Sequence, residues 1–168
     1  MESYLLQQAS PGLGFNVQKI FCTIQFIKAV HNSGIKRGEY WWLEKLTEIL
    51  VKTPDKIHLY ERGDIATAII YGITDPKAVP CLAQLINAPD SFLRRAAVMT
   101  LRQINSEAAI PTFIIALYDD VQDVRFYGVT GLATITKQDE YNPGVALYKE
   151  NENYYLSYWR DWAQKRQK

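Results

Sequence analysis

The sequence predicts an all-α protein in which antiparallel helix pairs stack into a short solenoid. The stretch AVPCLAQLINAPDSFLRRAAVMTLRQIN begins at Ala78 and returns, starting from Ala109, as AIPTFIIALYDDVQDVRFYGVTGLATIT. In both copies the apolar residues recur at helical spacing and not at the alternating spacing of strands. Because a two-helix unit of this size cannot bury its apolar stripe alone, a near-copy stacked beside it continues the core.

Each copy contains two helices joined by a short polar turn, NAPDS in the first copy and YDDVQD in the second. Such short turns make consecutive helices antiparallel neighbours. Capping side chains followed by proline or an acid predict helix starts at Thr53, Asp75 and Ser106. In the second helix of the first copy the predicted core stripe is Leu93, Ala96, Ala97, Leu101 and Ile104.

A degenerate third copy precedes these two, and the apolar spacing predicts further helices near residues 15–31, 40–52 and 152–166. The ends of a stack expose an uncovered face, so the flanking helices are interpreted as caps. We expect one domain, residues 1–168, with N-terminal capping helices in 1–52, repeats in 53–136 and a Trp-rich C-terminal capping helix in 137–168.

The aromatic residues of the last helix follow a helical stripe made of Tyr155, Trp159 and Trp162. We expect this stripe to seal the end of the core, in preference to forming a ligand cage. A second aromatic stretch, EYWWLEK, places Trp41 and Trp42 side by side. Both cannot face inward on one helix, so one of them is a secondary candidate for a surface contact.

The composition is that of an ordinary globular domain, 48% hydrophobic and 22% charged over 168 residues. Lys and Arg total 19 against 18 Asp and Glu, which gives a formal net charge of +1. No global field therefore favours a nucleic-acid or membrane partner, and any charged binding surface is local. The N-terminus lacks the basic and apolar regions of a signal peptide, so we expect a cytoplasmic protein.

The helix carrying AIPTFIIAL, the acidic turn after it and then VRFYGVTGLATI together resemble the HEAT repeat, in the short form also seen in phycobilisome-lyase-type HEAT-like proteins. The resemblance is good over residues 75–136, partial over 61–73 and absent before about residue 40. It implies a short right-handed α-solenoid of the armadillo/HEAT type. Gly128 and Gly131 depart from the pattern, since they stand where better helix formers are usual.

The resemblance also implies ion pairs along the stack. In such repeats the acidic turn interacts with the arginine that opens the second helix. The implied pairs are Arg94 with Asp90, and Arg125 with Asp119, Asp120 or Asp123. Separately, the tail YYLSYWRDWAQK is similar to the Trp-rich closing helix of many bacterial HEAT-repeat proteins.

If the second helices line the inner surface, as the resemblance implies, residues off their core stripe face a concave groove. Thr130 and Ala133 are expected on this groove in the last copy. Arg, Tyr, Phe and Met are enriched in interface cores, which predicts a partner groove here, while coverage by the protein's own tail and simple solvation stay open as alternatives. The candidate groove residues are Tyr71, Arg95, Met99, Arg102 and Phe126.

No sequence motif points to catalysis, a cofactor or a metal. The acidic turn DDVQD lacks the glycine and the distal glutamate of an EF-hand loop. His31 and His58 have no acid or nucleophile at a motif spacing, and Cys22 and Cys81 are expected to be reduced core residues. We therefore expect a non-enzymatic interaction or scaffold module with no cofactor, whose partner is a protein or peptide of acidic character.

Two alternatives remain open. Some HEAT-like proteins are DNA glycosylases that bind the nucleic-acid backbone through a basic concave face. Arg94, Arg95, Arg102 and Arg125 lie on the relevant helices here, but acids balance them overall, so nucleic acid is not the expected partner. A chromophore-lyase-type role is suggested by the resemblance alone.

Overall fold

The computed structural model describes residues 41–52 and 73–166, and within these ranges the regular structure is helical with no strand. The prediction of an all-helical fold is confirmed. Short 3₁₀ turns at Pro76–Ala78, Leu85–Asn87, Glu107–Ala109 and Asp139–Tyr141 precede or extend several helices. The α-helices are α1 (Trp41–Lys52), α2 (Val79–Gln84), α3 (Ser91–Ile104), α4 (Ile110–Ala116), α5 (Gln122–Thr136), α6 (Val145–Glu150) and α7 (Glu152–Arg166).

The helices stack in chain order as a short helical solenoid. Helix α1 packs on α2, the pairs α2–α3 and α4–α5 form the two predicted repeats, and α3 packs against α5 between them. Helices α1 and α7 confirm the predictions near residues 40–52 and 152–166. The helix expected near residues 15–31 and the start expected at Thr53 lie outside the described residues.

The core of α3 follows the predicted helical stripe. Leu93, Ala96, Ala97 and Leu101 are buried, and Ile104 packs partly buried against the same cluster. Val98 and Thr100 are also buried, so the buried stripe is wider than the sequence indicated. Small residues at the centre of this stripe bring α3 close to its neighbours, because side-chain size sets the distance between packed helices.

Helix starts agree with the capping predictions in part. The Asp75 carboxylate accepts a hydrogen bond from the Lys77 N–H at 2.9 Å, as an N-cap does. Asp90 caps α3 in the same way, accepting from the Phe92 N–H at 2.8 Å. A helical segment also begins after Ser106, as predicted, since Ser106 is the N-cap residue of the turn Glu107–Ala109, but its side chain makes no capping hydrogen bond.

The two glycines that depart from the repeat pattern lie where α5 meets α4. A Cβ added at Gly131 would fall 2.6 Å from the Cδ1 and Cζ atoms of the fully buried Phe113 ring. A Cβ at Gly128 would fall 3.0 Å from the Ala116 Cβ and 3.1 Å from the Phe113 carbonyl oxygen. The glycines therefore allow close helix packing, which offsets their poor helix propensity.

The C-terminal segment continues the periodicity of the stack. Helix α3 begins at Ser91, α5 at Gln122 and α7 at Glu152, so the two intervals are nearly equal. Between α5 and α7 lies the short helix α6, which the sequence analysis did not predict. Helix α7 packs on both α4 and α5, so it covers the last repeat.

The aromatic stripe of α7 faces the core as predicted. Tyr155 and Trp159 are buried, and Trp162 packs partly buried against the same cluster. The Trp159 Nε1–H donates to the Tyr141 carbonyl oxygen at 3.2 Å, which satisfies the indole. Arg160 Nη2 donates to the Leu117 carbonyl oxygen at 2.6 Å, at the C-terminal end of α4, where a cation is favoured.

We expect Gly131→Ala to destabilise the protein by roughly 1–3 kcal/mol, because overpacking against the Phe113 ring exceeds the helix-propensity gain of about 1 kcal/mol. Chemical denaturation measures the free energy of unfolding. Gly144→Ala is the matched control, since no atom lies within 4 Å of an added Cβ there. A Gly131→Ala variant at least as stable as wild type would contradict the close-packing explanation.

The close approach of Gly131 to the Phe113 ring also predicts energetic coupling between these two residues. Adding Phe113→Leu to Gly131→Ala removes the ring that the new methyl group strikes. The double variant should therefore lose less free energy of unfolding than the two single variants lose in sum. Contacting residues typically show couplings of about 0.5 kcal/mol or more. Strict additivity would place the source of the destabilisation elsewhere.

Deleting residues 152–168 should lower the melting temperature and increase binding of an apolar dye, because the last repeat loses its cover. In the full chain, Trp159→Ala should cost about 3–5 kcal/mol, as expected for a fully buried aromatic residue. Ser157→Ala, on the exposed side of the same helix, is the control. Full thermal stability in the truncated protein would show that α7 is not required to close the stack.

Candidate functional site

Arg94, in the first turn of α3, joins its own repeat to the next one. Its Nη1 donates to the Ala88 and Pro89 carbonyl oxygens, both at 3.1 Å. Its Nε and Nη2 donate to the Asp119 carboxylate at 2.7 and 3.0 Å, and Nη2 also contacts Asp120. The bidentate pair is nearly buried, with 11% of the Arg94 side chain and 7% of the Asp119 side chain exposed.

Arg125 repeats this arrangement at the equivalent position of the next repeat. Its Nη1 donates to the Asp119 and Asp120 carbonyl oxygens at 2.8 and 2.9 Å. Its Nε donates to Glu152, at the start of α7, at 2.7 Å. Each arginine therefore caps the turn of its own repeat and binds an acid of the following unit. We refer to Arg94, Asp119, Arg125 and Glu152 as the arginine ladder.

The ladder corrects the pairs implied by the family resemblance. An interaction between turns and arginines along the stack is present, but the carboxylate partner of Arg94 is Asp119 and not Asp90, which caps α3. The carboxylate partner of Arg125 is Glu152, while Asp119 and Asp120 contact it through backbone oxygens. The sequence pattern placed the partners within one repeat, whereas the side chains reach the next one.

Hydrogen bonding outweighs burial at both ladder acids. Burial alone raises the pKa of Asp119, but hydrogen bonds from Arg94 and the Val121 N–H bring it below its ordinary value. Burial likewise raises the pKa of Glu152, and hydrogen bonds from Arg125 and Gln122 lower it overall. Because these donors satisfy both carboxylates within the fold, the ladder is structural and offers no open binding position.

The candidate groove residues of α3 lie on one face of that helix. Arg95, Met99 and Arg102 are all partly exposed, at spacings of four and three residues, as the sequence analysis expected. Phe92, three residues before Arg95, extends the same face with 57% of its surface exposed. Sequence reasoning missed Phe92, although the three-residue spacing to Arg95 could have identified it. We refer to Phe92, Arg95, Met99 and Arg102 as the α3 face.

The face does not continue onto α5 as expected. Thr130 and Ala133 were predicted to be exposed, and both are buried, so that prediction is wrong. Helix α5 packs against α3, α4 and α7, and its apolar residues are spread around the helix instead of forming one stripe. Phe126 is half-buried, with its ring centroid 5.2 Å from that of Tyr148. Its role as a partner contact stays a prediction.

The two arginines of the α3 face have weak counter-charges. The Arg95 Nε lies 3.4 Å from the Asp123 carboxylate, and the two side chains are 42% and 50% exposed. Arg102 forms no ion pair with any residue in the described ranges. The Nε atoms of both arginines are buried without a hydrogen-bond partner there. The face therefore carries positive charge that the fold compensates only in part.

Most of the remaining residues singled out from the sequence lie wholly or partly outside the described part of the chain. Trp41 and Trp42 lie in the first turn of α1, but their side chains are outside the described part, as is Tyr71. His31, His58 and Cys22 also lie outside it. Cys81 is a half-buried free thiol that packs against the core, and burial raises its pKa.

Other kinds of site have little support in the described residues. In residues 41–52 and 73–166, no three His, Cys, Asp or Glu side chains converge to hold a metal ion. None of the helices described is both long and apolar enough to cross a membrane. An open cavity of about 400 Å³ between α1 and the C-terminal end of α2 is lined by Glu44, Glu48, Val51, Lys52, Gln84 and Asn87.

Comparison with known proteins gives one positive result. The family model for HEAT repeats matches residues 43–133, more than half of the chain, from the third residue of α1 to Ala133 in the last turn of α5. No curated protein and no solved structure matches the chain. The match coincides with the part of the chain that carries the internal repeat and most of the arginine ladder.

The ladder predicts acid sensitivity. A carboxyl whose folded pKa is lowered contributes stability that is fully present above its unfolded pKa, about 3.9 for Asp and 4.3 for Glu, and lost as the pH falls through the folded pKa. Since the pKa values of Asp119 and Glu152 are lowered, the free energy of unfolding should decrease as the pH falls below about 4. Urea denaturation between pH 7 and pH 2 measures this decrease.

Two double variants measure how much of this acid sensitivity comes from the arginine ladder. Asp119→Asn with Glu152→Gln should be less stable at pH 7 and should lose less stability on acidification. Asp161→Asn with Glu150→Gln removes two exposed acids and is the matched control. If the ladder variant loses as much stability on acidification as the control, other carboxyls cause the acid sensitivity.

Proposed function

Since the chain belongs to the HEAT-repeat family, we propose that it is a non-enzymatic interaction module that binds a partner protein through the α3 face. HEAT repeats commonly mediate protein–protein interaction or scaffolding, because a stack of helix pairs presents an extended rigid surface. The α3 face lies at the centre of the matched region. The proposal adds to this general role a particular surface and a chemical class of partner.

The proposal is supported by a difference among the arginines in the contacts that they make within the fold. Arg94 and Arg125 each make several hydrogen bonds of 2.7–3.1 Å within the fold. Arg95 has only a 3.4 Å ion pair, and Arg102 has none among the described residues. Partly exposed arginines beside Phe92 and Met99 combine the residue types that dominate binding hot spots.

An acidic, partly apolar protein surface fits this face better than nucleic acid does. Two cations separated by Met99 complement carboxylates flanking an apolar side chain. Phe92 and Met99 on the same stripe offer apolar contacts that a phosphate backbone cannot use. Phe126 and Tyr71 are proposed as flanking contacts, and Trp41 or Trp42 as a secondary surface.

We expect the double variant Arg95→Glu with Arg102→Glu to lose capture of the principal partner in a pulldown from native lysate, because charge reversal repels an acidic surface. Stability should change by no more than about 1 kcal/mol, as is usual for partly exposed positions. Lys149→Glu with Lys165→Glu makes the same charge change on α6 and α7 and is the matched control.

Three results together support the proposal: the Arg95→Glu, Arg102→Glu variant folds, it loses the partner, and the control variant keeps the partner. If the Arg95→Glu, Arg102→Glu variant folds and recovers the same partner at the wild-type level, the α3 face is not the binding surface. Loss of the partner in both variants would indicate a response to net charge alone, which also contradicts the proposal.

A further inference from the structure

We propose, building on the proposed function, that the partner docks an acidic amphipathic helix on the α3 face, and that Asp123 is the internal carboxylate which this helix displaces from Arg95. Asp123 would then set the affinity of the face without contacting the apolar part of the partner. The inference rests on the spacing of the two arginines, the geometry of the Arg95–Asp123 pair and the exposure of Phe92.

The spacing of the arginines favours a helical partner. Arg95 and Arg102 are seven residues apart on α3, which corresponds to about 10.5 Å along the axis. Carboxylates seven residues apart on a second helix have the same separation and share one face. On one face of an extended strand the side chains lie about 6.6 or 13.2 Å apart, so neither spacing matches the two guanidinium groups.

The Arg95–Asp123 pair has the properties of an exchangeable contact. At 3.4 Å it satisfies no hydrogen bond of the Arg95 Nε, and both side chains are about half exposed. Exposed ion pairs of this kind are weak, because solvent screens them. The neighbouring Arg94–Asp119 pair is bidentate and nearly buried, so it would not open for a ligand. Because the Arg95 Nε itself is buried, a partner carboxylate that displaces Asp123 would pair with the exposed part of the Arg95 side chain.

The apolar members of the face suit a helix that carries both acids and apolar residues. Phe92 is among the most exposed large hydrophobic residues of the described ranges, and it lies at the end of the face next to Arg95. Met99 lies between the arginines and adapts readily to a partner side chain. Together they alternate with the two cations along one stripe, as an amphipathic helix with acids at its margins would require.

The test uses random 18-residue peptides displayed as a library and selected on the full chain, followed by fluorescence anisotropy with the selected peptides. We expect enriched peptides to carry Asp or Glu seven residues apart with an apolar residue between them. Phe92→Ala should weaken their binding at least fivefold. A library that yields no binder, or binders without paired acids that are insensitive to Arg102→Met, overturns the proposal.

The role of Asp123 has its own measurement. Asp123→Asn should tighten binding of the selected peptides about two- to fivefold, the range expected from removing a competing exposed ion pair. In an Arg95→Met background the same change should have no effect, because the competition requires Arg95. Asp161→Asn on α7 removes an equal charge and should leave the affinity unchanged. Equal tightening by Asp123→Asn with and without Arg95 would show general charge repulsion and overturn the exchange mechanism.

The two proposals fail in different ways. If the Arg95→Glu, Arg102→Glu variant loses the native partner while Asp123→Asn leaves affinity unchanged, the α3 face is the binding surface and the exchange mechanism is wrong. If that charge-reversal variant keeps the native partner, the proposed function itself is wrong.

Discussion

The fold depends on the requirement that each helix pair be covered by the next one. A single pair leaves an apolar stripe open, and stacking at a regular interval along the chain buries it. The interval returns in α7, whose Tyr155 and Trp159 cover the last repeat while its outer side is polar. Close contact between α4 and α5 requires Gly131, because the Phe113 ring occupies the space of a side chain there.

Polar contacts reinforce the apolar stack where the turns meet. Arg94 and Arg125 bind carbonyl oxygens at the end of one helix and an acid in the following unit, so each arginine satisfies otherwise unpaired backbone groups and fixes the register of two repeats. Arg160 binds the end of α4 through the Leu117 carbonyl oxygen. These contacts use three cations inside the fold, and a partner cannot readily reach them.

Local signals predicted local features correctly, and contacts between repeats were harder to predict. Helical spacing located α1 and α7 within one residue, and the Asp75 cap followed from side-chain chemistry. Burial of Thr130 depends on how many helices surround α5, which its own sequence does not reveal. The carboxylate partner of Arg94 lies in the next repeat. It can be identified only when the relative position of the two stacked repeats is known. At the candidate site, helical spacing and the inner surface implied by the resemblance together predicted that Arg95, Met99 and Arg102 share one face. Asp123 was one of three acids considered for Arg125, and it lies instead against Arg95.

Arg94 and Arg95 are adjacent in the sequence, but one is held in a nearly buried ion pair and the other is partly exposed. One step along an α-helix rotates a side chain by about 100°, so Arg94 is nearly buried against the next repeat while Arg95 stays partly exposed. Arg94 meets a carboxylate already held by the Val121 N–H, and the resulting pair is nearly buried and fixed. Arg95 meets Asp123 at a longer distance and remains partly exposed. Fully hydrogen-bonded arginines therefore lie beside partly exposed ones, and this contrast is the basis of the binding surface proposed on α3.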